Sequence, residues 1–230
     1  MTTTVSEWRL SGNLCLTCLL INLGEPMKRL AALLFAVPLL LTGCVVLYGG
    51  ATPAATSNPP AGAKTYSTLD EAGIEQIKAS KTALLNMTTG SLRKSSVGLE
   101  DGTSQAPSIH ISDGLMDLAI EGPYTAITAK TDRLRLNGMN KRDDFSEVTY
   151  FLTANSLEEF SGLIREGVSR YGIPSDPAED WIESISGRPD QKSDFAIAPG
   201  TSTGLQVTYD LRYDGSKDTQ VIIVHVSPLS

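Results

Sequence analysis

The sequence predicts an α+β fold: an antiparallel β-sheet with one long packed helix and one or two shorter helices, in a single domain. Three segments carry that prediction. Val148, Tyr150 and Leu152 alternate with Thr149, Phe151 and Thr153, the period-two pattern of a strand with both faces at least partly covered. Leu157, Phe160, Ile164, Val168 and Tyr171 recur at spacings of three and four, which draws one continuous apolar stripe along a helix. Leu205, Val207, Tyr209, Leu211 and Tyr213 alternate with Gln206, Thr208, Asp210 and Arg212, as in a half-buried antiparallel strand with a polar outer face. Asp214-Gly215 then turns the chain, and Val221 to Val226 returns as a nearly all-apolar central strand.

The other elements follow in order. Asp70 to Asn86 reads as a helix, with Thr68 or Asp70 as N-cap and a stripe of Ile74, Ile77, Leu84 and Leu85, Lys81 lying on the same side. From Leu92 to Leu136 the pattern is β-like: Ile109 and Ile111, then Leu115 to Ile120, then Tyr124 to Leu136. Asp101-Gly102, Asp113-Gly114, Gly122-Pro123 and Asn137-Gly138 supply the turns. Ser156-Leu157-Glu158-Glu159 is a capping box at the head of the long helix, which Gly172 and Pro174 stop. Asp176-Pro177-Ala178-Glu179 opens a shorter helix with Pro177 in first position, and Trp181, Ile182 and Ile185 form its buried face. No internal repeat is present.

Composition narrows the class of function. The chain has 230 residues, 41% hydrophobic and 20% charged, enough for one domain with a real core and too short for two large ones. Residues 44–230 carry a net charge of −8. An acidic domain repels phosphate backbones, so nucleic acid is not an expected partner. It gains nothing from anionic headgroups either, so membrane attachment must come from an anchor rather than a basic face.

Such an anchor is legible. Lys28 and Arg29 follow Met27, Leu30 to Leu40 is apolar and uncharged, and Leu41-Thr42-Gly43-Cys44 closes the run. A basic n-region, short apolar stretch and small residues before a cleavage point form a secretory signal. The last four residues resemble the lipobox of bacterial lipoproteins. That resemblance implies a diacylglycerol thioether on Cys44, cleavage of the Gly43–Cys44 bond and acylation of the new amino terminus. Two or three acyl chains, at about 0.8 kcal/mol per buried methylene, hold such a protein to a membrane. The competing reading is an uncleaved membrane helix over Leu30 to Tyr48; Pro38 and the Thr42-Gly43 pair argue against it. Because signal peptides act near the chain start, the true start is expected at Met27, with residues 1–26 an added extension. Residues 27–43 are then the signal peptide, and residues 44–66 the lipidated cysteine and a Pro/Gly/Ala tether, whose uncharged Gly49 to Ala63 core buries nothing. Residues 67–230 form the globular domain. In lipoproteins an Asp after the cysteine retains the protein at the inner membrane. Val45 stands there, so the resemblance implies the periplasmic face of the outer membrane, or, in a source lacking one, the outer face of the cytoplasmic membrane.

Several motifs invite chemical readings. Gly200-Thr201-Ser202-Thr203-Gly204 matches G-x-S-x-G, with Asp210 or Asp214 and His225 following in hydrolase order. A nucleophile elbow needs a strand before the serine and a helix after it; here a strand follows. Ser91-Leu92-Arg93-Lys94 matches S-x-x-K, but no K-T-G accompanies it. Cys15-Leu16-Thr17-Cys18 lacks the βαβ setting of a redox pair. His110 and His225 sit in strands with no helical i, i+4 partner for a metal. The acidic Asp143-Asp144 pair, and the run Asp176, Glu179, Asp180 and Glu183, lack the alternating ligands of a calcium loop. No cofactor is expected beyond the covalent lipid on Cys44. The leading expectation is therefore a non-catalytic envelope lipoprotein that docks an unidentified envelope protein, with Gln206, Thr208, Asp210 and Arg212 as candidate interaction face. The alternatives are a small envelope serine hydrolase using Ser202 and His225, and a carrier of a small ligand or lipid, which would need an apolar cavity.

Overall fold

The computed structural model describes residues 64–230. The expected signal peptide, Gly43, Cys44 and the tether up to residue 63 lie outside the described residues. In chain order the elements are α1 (Glu71–Ser80), β1 (Thr82–Asn86), β2 (Leu92–Arg93), β3 (Ser108–His110), β4 (Met116–Glu121), β5 (Ala126–Thr131), β6 (Arg133–Asn137), β7 (Asp144–Phe145), β8 (Glu147–Ala154), α2 (Leu157–Tyr171), α3 (Ser175–Ser186), β9 (Lys192–Ala196), β10 (Gln206–Asp214) and β11 (Gln220–Ser227). The fold is α+β. A six-stranded, wholly antiparallel sheet runs β3-β6-β8-β11-β10-β9, beside a three-stranded sheet β1-β4-β5 and a two-stranded β2-β7 pair.

Directly opposed residues of paired strands share a face, so the register of the large sheet assigns its two sides. Leu134, Tyr150, Val224 and Tyr209 lie in one cross-strand row, all buried. That inner face is roofed by α2 and α3. Phe160 of α2 and Trp181 of α3 meet at 5.9 Å between ring centroids, and Trp181 stacks on Phe195 of β9 at an interplanar angle of 15°. The Trp181 indole N–H donates to Ser193 Oγ at 3.1 Å, so the ring fills the core without stranding its donor. Helix α2 lies so close to the sheet that a Cβ on Gly167 would fall 2.6 Å from the Tyr209 ring. Among the described residues no helix packs on the other face.

The long helix begins as its capping residues predict: Ser156 Oγ accepts from Glu159 N at 3.0 Å. The return bond departs from the reciprocal pattern, because Glu159 Oε2 accepts from Asn155 N at 2.8 Å, one residue upstream of the cap. Gly172, at φ +72, closes the helix in the left-handed region.

Two expectations need correction. The helix expected over Asp70 to Asn86 ends early, at Ser80, after 10 residues. Asp70 caps it through Gly73 N, but Lys81 turns left-handed at φ 52, and its N–H bonds back to the Ile77 carbonyl. Thr82–Asn86 is a strand, parallel to β4, so Leu84 and Leu85 point to opposite faces instead of extending a stripe. This is also the one parallel pairing among the described strands. The second correction concerns α3, which starts at Ser175 with Pro174 as cap, placing Pro177 third rather than first. Without an N–H, proline is tolerated there because that position still has no helical acceptor.

Candidate functional site

The face of the large sheet that the described helices leave open gathers two rows of side chains from four strands. One cross-strand row runs Arg135, Thr149, His225, Thr208, and the next runs Phe151, Ile223, Asp210. Two of the four residues expected to form an interaction face, Thr208 and Asp210, thus stand in these rows; Arg212 faces Val221 and Asp194, and Gln206 faces Ser227. The alternation in β10 finds this side of the strand. It does not find the apolar centre, Phe151 and Ile223, or the flanking arginines, since those come from β6, β8 and β11 and only the register brings them together.

The guanidinium groups of Arg133 and Arg135 lie over the Phe151 ring, 5.0 and 5.3 Å from its centroid. Arg135 makes no ion pair with another described residue, and Arg133 reaches only Asp132, at 3.9 Å. Arg212, by contrast, is held between Asp210 and Asp194. His225 Nδ1 lies 3.0 Å from Glu147 Oε1. The Glu147 carboxylate beside it raises the His225 pKa above its ordinary 6.5 against the opposing effect of burial, an ion-pair contact whose angles are not those of a hydrogen bond. The same contact lowers that of Glu147. The 106–108 segment and the exposed Met139 wall this end of the face, forming a recess of about 660 Å³ floored by Phe151 and Ile223.

The proposed hydrolase residues are not assembled. Ser202 sits in the loop before β10, where its hydroxyl donates to the Arg170 carbonyl at the end of α2, at 3.0 Å. Its backbone N–H bonds to the Tyr171 carbonyl. His225 shares a face with Thr208, opposite to the Tyr209 side on which α2 packs. The serine thus faces the helix layer, and the histidine the open side of the sheet. The glycines around Ser202 have a packing cause: a Cβ on Gly200 would fall 2.2 Å from the Tyr171 carbonyl oxygen.

The S-x-x-K lysine likewise has a structural account. Lys94 is fully buried, and its ammonium donates to the carbonyls of Thr103 (2.6 Å), Gly138 (2.8 Å) and Arg142 (2.6 Å). All three of its protons are used, and it ties down the loops that wall the outer recess. His110 is exposed on the edge strand β3. Among the described residues no group of three or more His, Cys, Asp or Glu side chains is placed to hold a metal.

A second concavity, invisible to sequence periodicity, lies between the small sheet and α2. Leu84, Ala119 and Thr128 are cross-strand neighbours on one face of that sheet. Arg170 of α2 donates to Thr128 Oγ1 at 2.6 Å, so this face turns toward the helix. The cleft between them encloses about 720 Å³, and Tyr150, Tyr171 and Tyr209 form its depth. Tyr171 Oη donates to the Thr128 carbonyl at 3.3 Å. Tyr150 Oη is buried with no hydrogen-bond partner, and burial pushes its pKa well above the ordinary value.

Comparison of the chain with protein-family models, with curated proteins and with solved structures finds no match in any of the three. The functional reading rests on these two concavities and on the residues themselves.

Proposed function

We propose that the protein is a bacterial lipoprotein, anchored through Cys44, that displays a non-catalytic interaction domain to a protein partner in the cell envelope. The observation that carries the reading is the uncovered face of the six-stranded sheet. It has an apolar centre, Phe151 and Ile223, beside arginines that lack a strong carboxylate partner among the described residues. Such a face complements a surface that lays an apolar side chain on Phe151 and a carboxylate against Arg133 and Arg135. Support for the anchor comes from the n-region, apolar run and Leu41-Thr42-Gly43-Cys44; Val45 favours the outer membrane. The remote placement of Ser202 and His225 favours docking over hydrolysis.

The test is fractionation and intact mass of the native protein, combined with co-isolation of its partner from membranes. The reading expects an acylated mass beginning at Cys44, lost together with membrane association in Cys44→Ala. It also expects a partner that wild type retains and an Arg133→Glu, Arg135→Glu double variant releases. An unprocessed chain, or a partner held equally by the charge-reversed variant, contradicts it.

A further inference from the structure

We infer that the cleft between the three-stranded sheet and α2 is a binding site for a small uncharged amphiphile, its apolar body against Ala119 and Leu163 and its hydroxyl, ester or amide on Tyr150 Oη. The site is separate from the outer sheet face and stands on different observations. Its volume, about 720 Å³, falls within the few hundred to about 1,000 Å³ of small-molecule sites. Leu115, one of the few large apolar side chains left exposed among the described residues, stands at its rim.

Two features select the ligand. The first is the unpartnered Tyr150 hydroxyl. A buried polar group without a partner is costly; the Tyr171 hydroxyl, which gives its own proton to Thr128, lies close enough to act on Tyr150 electrostatically but does not meet it in hydrogen-bond geometry. Burial keeps Tyr150 protonated, so it offers both a donor and an acceptor to a ligand oxygen. The second feature is the state of the charges at the rim. Arg170 is paired with Glu166, Lys130 with Asp117, and Glu159 holds the Asn155 N–H. An anionic head entering the cleft finds no free cation among these groups, and a cationic one finds only Glu159, already turned to a backbone N–H at the rim, so a charge drawn into the depth beside the tyrosines is left uncompensated, which opposes binding. An uncharged head that can hydrogen-bond meets no such penalty.

The test uses three photoactivatable probes that share one diazirine-bearing alkyl chain and end in an alcohol, a carboxylate or a trimethylammonium group. Each is added to membranes containing the full chain, and adducts are mapped by mass spectrometry. The alcohol should label residues of β4 and α2 about five-fold more than either charged probe, the discrimination expected of one modest hydrogen bond. Ala119→Trp and Leu163→Trp, which fill the cleft from opposite walls, should each remove most of this labelling. Circular dichroism identifies a variant that fails to fold, in which case the other carries the comparison. Tyr150→Phe should keep the labelling and lose the preference for the alcohol. Equal labelling by all three probes in wild type overturns the assignment of an uncharged head. Labelling that survives in a folded cleft-filling variant overturns the site.

Discussion

The two faces of the six-stranded sheet are made by the same strands and differ in what they leave undone. On the inner face Leu134, Tyr150, Val224 and Tyr209 are buried under α2 and α3, and aromatic contacts join sheet to helices. On the outer face Phe151 and Ile223 remain partly exposed, and charge-bearing neighbours surround them. Burial of apolar surface stabilises the fold, so the inner face accounts for much of the stability. The outer face mixes apolar, polar and charged side chains and is left open by the described residues, as the proposed docking role requires. The comparison yields experiments that either deepen the contrast or abolish it.

The largest effect is expected inside. Phe160→Ala removes the ring that joins Trp181 and Tyr213 and should cost about 3–5 kcal/mol, read as a lowered denaturant midpoint. Next comes Lys94→Met. It strands three carbonyls and should cost about 3 kcal/mol. Because those carbonyls belong to loops that wall the outer recess, this substitution should also weaken docking, linking the two faces. The sharpest contrast is a pair of adjacent, chemically matched changes. Val224→Thr buries a hydroxyl among apolar groups and should cost about 2 kcal/mol, whereas Ile223→Thr, one residue away, should cost less than about 1 kcal/mol. Equal losses would mean that the outer face is as much core as the inner.

Tyr150 breaks the pattern, since it lies on the inner face with an unused polar atom. Tyr150→Phe should raise stability by about 1 kcal/mol, because a group that is buried and unpaired is removed. A loss of stability would mean that the hydroxyl is bonded within the fold. The smallest effect concerns His225 and Glu147. The His225 pKa is raised on folding, so its contribution is fully present below its ordinary value of 6.5 and is lost as the pH rises through the folded value. The Glu147 pKa is lowered, so its share is present above its ordinary 4.5 and is lost as the pH falls through its folded value. The melting temperature should therefore decline as the pH rises above about 6.5, and His225→Gln should flatten that decline.

Much of this architecture could be read from the sequence, and the exceptions have causes. Strands β8, β10 and β11 and helix α2 are legible because each has a face against one core, so burial imposes its period on the residues. Strand β1 is not. Leu84 and Leu85 fall at spacings that continue the Ile74 and Ile77 stripe, and the left-handed break at Lys81 is one that a non-glycine residue does not announce. Lys192–Ala196, an edge strand with no side chain fully buried, has too little core contact to impose a pattern. At the site, the polar alternation Gln206, Thr208, Asp210 and Arg212 marks one side of one strand, while Phe151, Ile223, Arg133 and Arg135 become its neighbours only through pairing between strands distant in sequence. The cleft joins residues from Thr82 to Tyr209, a combination that no local period records.

The central claim, that this protein works through the open face of its sheet, is tested most directly by placing a photocrosslinking amino acid singly at Ile223, Thr153, Glu158 and Glu183 in the full-length protein and irradiating intact cells. The first two positions lie on the outer face and the last two on the exposed sides of the helices. The account predicts one discrete protein adduct from Ile223 and Thr153, lost when Arg133 and Arg135 are both changed to Glu, and none from the helices. Adducts from Glu158 and Glu183 alone would place the partner on the helical layer and contradict the account.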